Sequence, residues 1–171
     1  MDAEIQKAVI AGLDRAIRTE TDGYHFYMMA AMATEDERGK QILAQLAEEE
    51  LEHRRFLEGQ RRSILESGQV DASLGMRRIA SLTGDSPIFS SQLTRRAAEA
   101  HYEMSALSIG IQLELASQTY YREQADEARD PALKKIYADL AAWEQGHYEA
   151  LLRQHDSLKE DYWAAAGFSP F

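Results

Sequence analysis

A glutamate followed thirty residues later by Glu-x-x-His occurs twice in this chain: Glu20 with Glu50 and His53, then Glu114 with Glu144 and His147. The two sets are offset by 94 positions (114 − 20 and 144 − 50), and that one offset aligns residues 20–66 with 114–160 without a gap. Of the 47 aligned pairs, 15 are identical, among them Tyr27 with Tyr121, Asp36 with Asp130 and Gln60 with Gln154. An ungapped repeat of this length constrains the fold more than composition does. Each half must build the same unit and present its own glutamate and Glu-x-x-His at equivalent places.

That unit is a helical hairpin. Proline occurs only at positions 87, 131 and 170, and the stretches between are rich in Ala, Glu, Leu, Gln and Arg, which favour helix. Four helices are predicted near 3–33, 36–66, 93–128 and 131–157. Thr34 with Glu37 reads as a capping box opening the second. Asp130 before Pro131 reads as an N-cap followed by proline at the first helical position. Glu20 lies 14 residues before Thr34 and Glu50 lies 16 after it, while Glu114 lies 16 before Asp130 and Glu144 lies 14 after it. Arms this nearly equal bring the paired residues to one level, roughly 21–24 Å from each turn. No run alternates with period two, so no strand is expected.

Residues 67–92 differ from the rest, with Gly68, Gly75, Gly84 and Pro87 among frequent Asp, Ser and Thr. Extended, 26 residues span roughly 85 Å, against about 45 Å for a helix of 30 residues. The segment is therefore long enough to run the length of a bundle, with a short helix expected near 72–82. A long crossover joining two hairpins is the ferritin-like form of the four-helix bundle. The expected fold is all-α: two antiparallel helical hairpins joined by the crossover 67–92 within a domain of residues 1–158. The aromatic segment 159–171 reads as a C-terminal tail.

Composition narrows the chemistry. The absence of cysteine removes disulfides, thiolate metal sites and a cysteine nucleophile, and it fits a reducing compartment. The opening residues MDAEIQKAVI hold no basic stretch followed by an apolar run, and no segment approaches eighteen apolar residues. A cytoplasmic protein without a membrane partner is expected. A net charge of −10 argues against nucleic acid.

Residues i and i+3 share a helix face, so Glu50 and His53 can point at one metal ion, and Glu144 and His147 at another. Glu20 and Glu114 come from the other two helices. Four interior carboxylates are costly without a cation. Each of two ions would receive one imidazole and a share of the carboxylates, with positions left for water, oxygen or peroxide. This donor set suits Fe(II), Mn(II) or Zn(II). Two iron ions have the most chemical use, because together they deliver two electrons to an O–O bond. A lone Glu-x-x-His on a Glu-rich helix is ordinarily solvated surface; the doubled pattern at matched depth separates this chain from that case.

Further candidates surround the six. Tyr27 and Tyr121 each lie seven residues after a glutamate ligand and so share its face. Each either hydrogen-bonds a ligand carboxylate or is a core tyrosine satisfied elsewhere. Glu49 either accepts a hydrogen bond from His147 of the opposite hairpin or belongs to the solvated run 48–52; its repeat equivalent is Trp143. His25, His101 and His155 fall off the ligand face, and Met28, Met29 and Met32 read as core fillers.

With these residues in hand, the chain resembles a rubrerythrin-type member of the ferritin-like di-iron superfamily over about residues 1–158. The resemblance implies that Glu20 and Glu114 are terminal ligands, that Glu50 and Glu144 bridge, and that His53 and His147 each bind one iron. It implies reduction of hydrogen peroxide or oxygen, and commonly a homodimer. The cysteine-bearing rubredoxin domain of full-length rubrerythrins is not present here, so electrons would come from a separate donor protein. The family's additional glutamate, three residues beyond the third-helix ligand, is Ser117 in this chain. Three other functions use the same donors: ferroxidase activity with iron storage, oxygenation of an organic substrate, and metal binding without turnover.

Overall fold

The long helices begin where a side chain can take up free backbone N–H groups. In the computed structural model, which describes residues 2–76 and 87–165, Asp2 caps α1 (Ala3–Ala33), accepting from the Glu4 amide at 2.9 Å. Asp130 caps α5 (Pro131–Ala165), accepting from the amides of Ala132 and Leu133 at 2.8 and 3.1 Å. The cap of α2 (Glu37–Ser67) is Asp36, which accepts from the Gly39 amide at 2.8 Å. This corrects the reading of Thr34. Its hydroxyl is turned inward, donating to the buried Glu103 carboxylate at 2.8 Å, and the amide it accepts from is that of Asp36 at 3.2 Å, ahead of the first turn of α2. The left-handed Gly68 (φ 71°) ends α2, a conformation that favours glycine.

The remaining elements are a short α3 (Ser91–Arg95), a 3₁₀ turn at Ala97–Glu99 and α4 (His101–Glu127). No strand occurs among the described residues. α1 packs along α2, α4 along α5, and α1 lies beside α4, giving the all-α ferritin-like bundle of two hairpins. The predicted third helix, 93–128, is broken at its start. The chain is pinned at Ile88 and Ser90 and must turn before running beside α1; Arg96 and Ala100 leave helical geometry to make that turn. Of the short helix expected near 72–82, residues 72–76 are turn and irregular chain, held by Asp71 hydrogen bonds; 77–82 lie outside the described residues. α5 continues through Leu158 to Ala165, so residues 159–165 extend the helix, with Tyr162 edge-on to His101. The rest of the aromatic segment lies outside the described residues.

The crossover is fastened at both ends by repeat-equivalent glutamines. Gln60 donates to the Asp71 carbonyl and accepts from the Asp71 amide, both at 3.0 Å. Gln154 accepts from the Ile88 amide at 2.6 Å. Asp36 adds a third fastening, accepting from the amide and hydroxyl of Ser90. Partial burial works against its ionisation, but the hydrogen bonds from Ser90 and Gly39 hold its carboxyl below the usual range. Asp36→Ala should therefore cost more than Asp130→Ala, which removes a cap alone. A lost cap costs about 1 kcal/mol, or roughly 2–4 °C of Tm at this size, and Asp36→Ala should exceed it; thermal melts of the two variants side by side make the comparison.

Two apolar clusters fill the bundle. One, near the α1–α2 turn, contains Leu43, Leu46, Ile88, Phe89, Leu107 and Leu151. The other, near the α4–α5 turn, contains Leu13, Leu57, Tyr121, Ile136, Tyr137 and Leu140. Each long helix passes from one cluster to the other, and its glutamate of the repeated pattern lies in between. Of the three methionines read as core, only Met28 packs against a cluster. Met29 and Met32 are 65% and 78% exposed, because a helix at the corner of a bundle has an outward face that three near-consecutive residues cannot avoid.

Candidate metal centre

All six residues singled out by the repeat meet at mid-bundle. Glu20, Glu50, His53 and Glu144 bring one ligand atom each within 4.8 Å of one another, and so do Glu50, Glu114, Glu144 and His147. Glu50 and Glu144 belong to both groups, whereas Glu20 and Glu114 each belong to one. All six side chains are buried. Nδ1 of His53 lies 3.2 Å from Glu20 Oε2 and 3.4 Å from Glu144 Oε1. Nδ1 of His147 lies 3.5–3.6 Å from oxygens of Glu50, Glu114 and Glu144.

The flanking candidates are in place as well. The Tyr27 hydroxyl donates to Glu114 Oε1, and the Tyr121 hydroxyl to Glu20 Oε1. Each bond crosses from one hairpin to the other and leaves the second oxygen of that glutamate facing the histidines. Burial, then the charge of the bonded glutamate, raises both phenols well above their ordinary value, so both keep their protons. Glu49 is buried and its Oε2 is 2.8 Å from His147 Nε2. Trp143, the repeat equivalent, instead meets the His53 ring nearly at right angles, with centroids 5.1 Å apart. His25 and His101 are exposed, and His155 lies against Asp156.

Taken by themselves the charges are in conflict. Burial and the charge of Glu144 raise Glu50 well above the carboxylate range and push Glu114 up to about 8. Burial opposes ionisation of Glu144 too, but contact with Glu114 and both imidazoles holds it well below its ordinary value. Burial alone would lower the imidazoles. Contacts of His53 with Glu144 and Glu20, and the charge of Glu114 on His147, raise both instead.

The donor set fits cations. Buried polar atoms are ordinarily paired, yet Glu50 Oε1, both oxygens of Glu144 and His147 Nδ1 have no hydrogen-bond partner. Ionised carboxylates can only accept, and too few donors face them. A positive ion satisfies such convergent acceptors, and mixed carboxylate and imidazole donors suit first-row divalent metals.

Two small residues shape access: Gly23, which sequence reasoning passed over, and Ser117, which it read only as a departure from the family's glutamate. A cavity of about 200 Å³ opens between α1 and α4 and is lined by Gly23, Ser117, Glu50 and Glu114, with exposed Arg15 and Asp22 also on its walls. A Cβ on Gly23 would stand 3.1 Å from Glu50 Oε2. Gly23 and Ser117 are equivalent in the repeat, each three residues after a glutamate of the cluster. A small residue one turn from each of these glutamates was the available signal.

A family model described as Rubrerythrin matches residues 12–106. The span, 95 residues (106 − 12 + 1) of 171, takes in Glu20, Glu49, Glu50 and His53 and stops short of Glu114. No curated protein and no solved structure gives a significant match. No helix among the described residues is long and apolar enough to cross a membrane.

Proposed function

The chain belongs to the rubrerythrin family, and from that premise we propose that it is a di-iron carboxylate oxidoreductase, reducing hydrogen peroxide or oxygen with electrons from a separate donor protein. The observation that carries this reading is the twofold cluster of four carboxylates and two imidazoles, buried, with acceptor atoms left unpaired. Glu20 and His53 would hold one iron and Glu114 and His147 the other, with Glu50 and Glu144 shared, as their membership of both groups suggests. Manganese or zinc could occupy the same donors. When bound, two ferrous ions supply the two electrons that split an O–O bond. With two protons, one peroxide then leaves as two waters, and the donor protein restores the electrons.

The chain's own residues do the rest. Tyr27 and Tyr121 each fix one oxygen of an outer glutamate and so orient the other. Glu49 orients His147. The apolar clusters on either side restrict water. The cavity beside Gly23 and Ser117 is small, below the usual volume of about 300–1,000 Å³ for a drug-sized ligand, which favours peroxide or oxygen over an organic substrate. Between His101 and Arg122 the exposed side of α4 carries no charged residue, and it shows Ile109 and Leu115. In a chain of net charge −10 that face suits self-association, and the working unit in this reading is a cytoplasmic homodimer.

The test is anaerobic loading with Fe(II), then stopped-flow mixing with peroxide and, separately, with oxygen. Rapid oxidation by peroxide at two irons per chain, by a species that sediments as a dimer, is expected. Oxygen consumption that continues as Fe(II) is added far beyond two per chain, by a large multi-subunit shell, would instead establish storage. A protein that binds no iron would overturn the proposal.

A further inference from the structure

The repeat is broken at one point that touches both imidazoles. Residue 49 is glutamate and its equivalent, residue 143, is tryptophan. The two histidines are consequently hydrogen-bonded in opposite senses. His147 has its Nε2 2.8 Å from Glu49 Oε2, while its Nδ1, facing the cluster, has no hydrogen-bond partner. His53 has its Nδ1 3.2 Å from Glu20 Oε2, while its Nε2, fully buried, has none.

A metal-bound imidazole ordinarily donates its other ring N–H to an acceptor, which fixes the ring and strengthens the ligand. His147 has that arrangement: its Nδ1 is turned toward oxygens of Glu50, Glu114 and Glu144, and its Nε2 stands against the Glu49 carboxylate. His53 lacks it: its Nδ1 is turned toward Glu20 and Glu144, but its Nε2 has no hydrogen-bond partner, and the residue equivalent to Glu49 is Trp143, whose ring stands nearly at right angles to the imidazole.

We propose that the two metal subsites are unequal and fill in a fixed order, with the subsite of Glu114 and His147 first and that of Glu20 and His53 second. Glu49 is the positioning residue that sets this order. The proposal rests on the metal-binding reading above. The other elements of the two subsites match: each has one outer glutamate held by a tyrosine of the opposite hairpin, and both share Glu50 and Glu144. The difference at positions 49 and 143 therefore acts without an opposing one among these ligands.

Stepwise binding alone does not discriminate, because a first cation repels a second. The identity of the first histidine does. The test is titration of the metal-free full chain with Zn(II) alone, followed by calorimetry and by histidine side-chain nitrogen NMR. With one equivalent, the His147 resonances should move to their bound positions while those of His53 stay, and His53 should follow with the second. Glu49→Gln, which keeps the shape and removes the charge, and Glu49→Met, which removes the acceptor, should weaken the His147 step by about 10–100-fold, the usual effect of losing a residue that supports a metal-bound histidine. The His53 step should be unaffected, which general loosening of the bundle would not spare. Both histidines moving together, His53 moving first, or both steps weakening equally in the variants would overturn the proposed order while leaving the metal centre intact. Failure to bind Zn(II) would overturn both.

Discussion

Glu50→Gln is expected to lose metal at both subsites and yet be at least as stable as the parent when both are metal-free. Glu50 is the only first-hairpin glutamate common to both donor groups, so its carboxylate serves two ions. Removing its charge should reduce affinity by at least about 100-fold, the upper end of what loss of a merely supporting residue costs. Stability moves the other way. Burial and the repulsion of Glu144, Glu20 and Glu114 already raise Glu50 far above the carboxylate range, so in the metal-free fold it is held as the neutral acid. Glutamine has the shape of that neutral acid. At acidic pH the substitution should be nearly neutral, and at alkaline pH, where the native glutamate is forced to ionise beside three others, it should raise Tm by a few degrees, since about 1 kcal/mol corresponds to roughly 2–4 °C at this size. Metal analysis after dialysis and thermal melts in chelator measure the two effects. Two ions retained at unchanged affinity would remove Glu50 from the site; a marked fall in metal-free Tm would show that its carboxylate is structural.

The second large effect is a reversal of the pH dependence of stability on metal removal. Glu50 and Glu114 have folded values above their ordinary 4.5, Glu114 at about 8, and both imidazoles lie above 6.5. Groups raised in this way stabilise the fold fully below their unfolded values, and that contribution is lost as pH rises through the folded ones. Between about pH 4.5 and 8 the folded metal-free chain holds more protons than the unfolded chain, so its stability should fall as pH rises. Glu144 is shifted oppositely; its contribution is present above 4.5 and is lost only under more acidic conditions, outside this window. A cation displaces those protons, so metal should bind more tightly, and protect more, at pH 8 than at pH 6. An ion at one hundred times its dissociation constant stabilises by about 2.7 kcal/mol, roughly 5–11 °C here. Melts at pH 6 and pH 8, with chelator and with metal, give the four values. A metal-free Tm that rises with pH would contradict the arrangement of charges described above.

The buried cluster was legible in the chain because the demands of a shared interior site repeat while surface demands do not: Glu20 and Glu114, Glu50 and Glu144, and His53 and His147 stand at one offset, and the bundle brings them together. The two tyrosines could be nominated by face and Glu49 by its place beside Glu50, but neither could be decided, since a hydroxyl at the right level can bond elsewhere and Glu49 also belongs to the run 48–52; the structure pairs each tyrosine with the glutamate of the opposite hairpin and Glu49 with His147. The cap of α2 was misread although the repeat held the answer. Asp36 aligns with Asp130, the acknowledged cap of α5, whereas the T-x-x-E pattern at Thr34 is local and Thr34 is claimed by a residue 69 positions away. The break before α4 left no mark, because Leu93, Ala97 and Ala100 recur at helical spacing and all bury; what bends the chain there is the fastening of Ile88 and Ser90 by distant side chains. Gly23 went unnoticed, and Ser117 was read only as a departure from the family's glutamate, because a cavity is a property of two helices together and neither helix alone records it.

The exchange of hydrogen bonds between hairpins also bears on what kind of polypeptide can carry this centre. Two identical hairpins related by a twofold axis would reproduce the pairing of Tyr27 with Glu114 and Tyr121 with Glu20, each contact being the mirror of the other under the symmetry operation. They could not reproduce the contacts of residues 49 and 143, because in a symmetric pair those positions are one and the same residue. Glutamate against one histidine and tryptophan against the other require the halves to be encoded separately. Covalent linkage by the crossover is thus what allows two halves identical at 15 of 47 aligned positions to differ at 49 and 143 while the reciprocal tyrosine–glutamate contacts between them are kept.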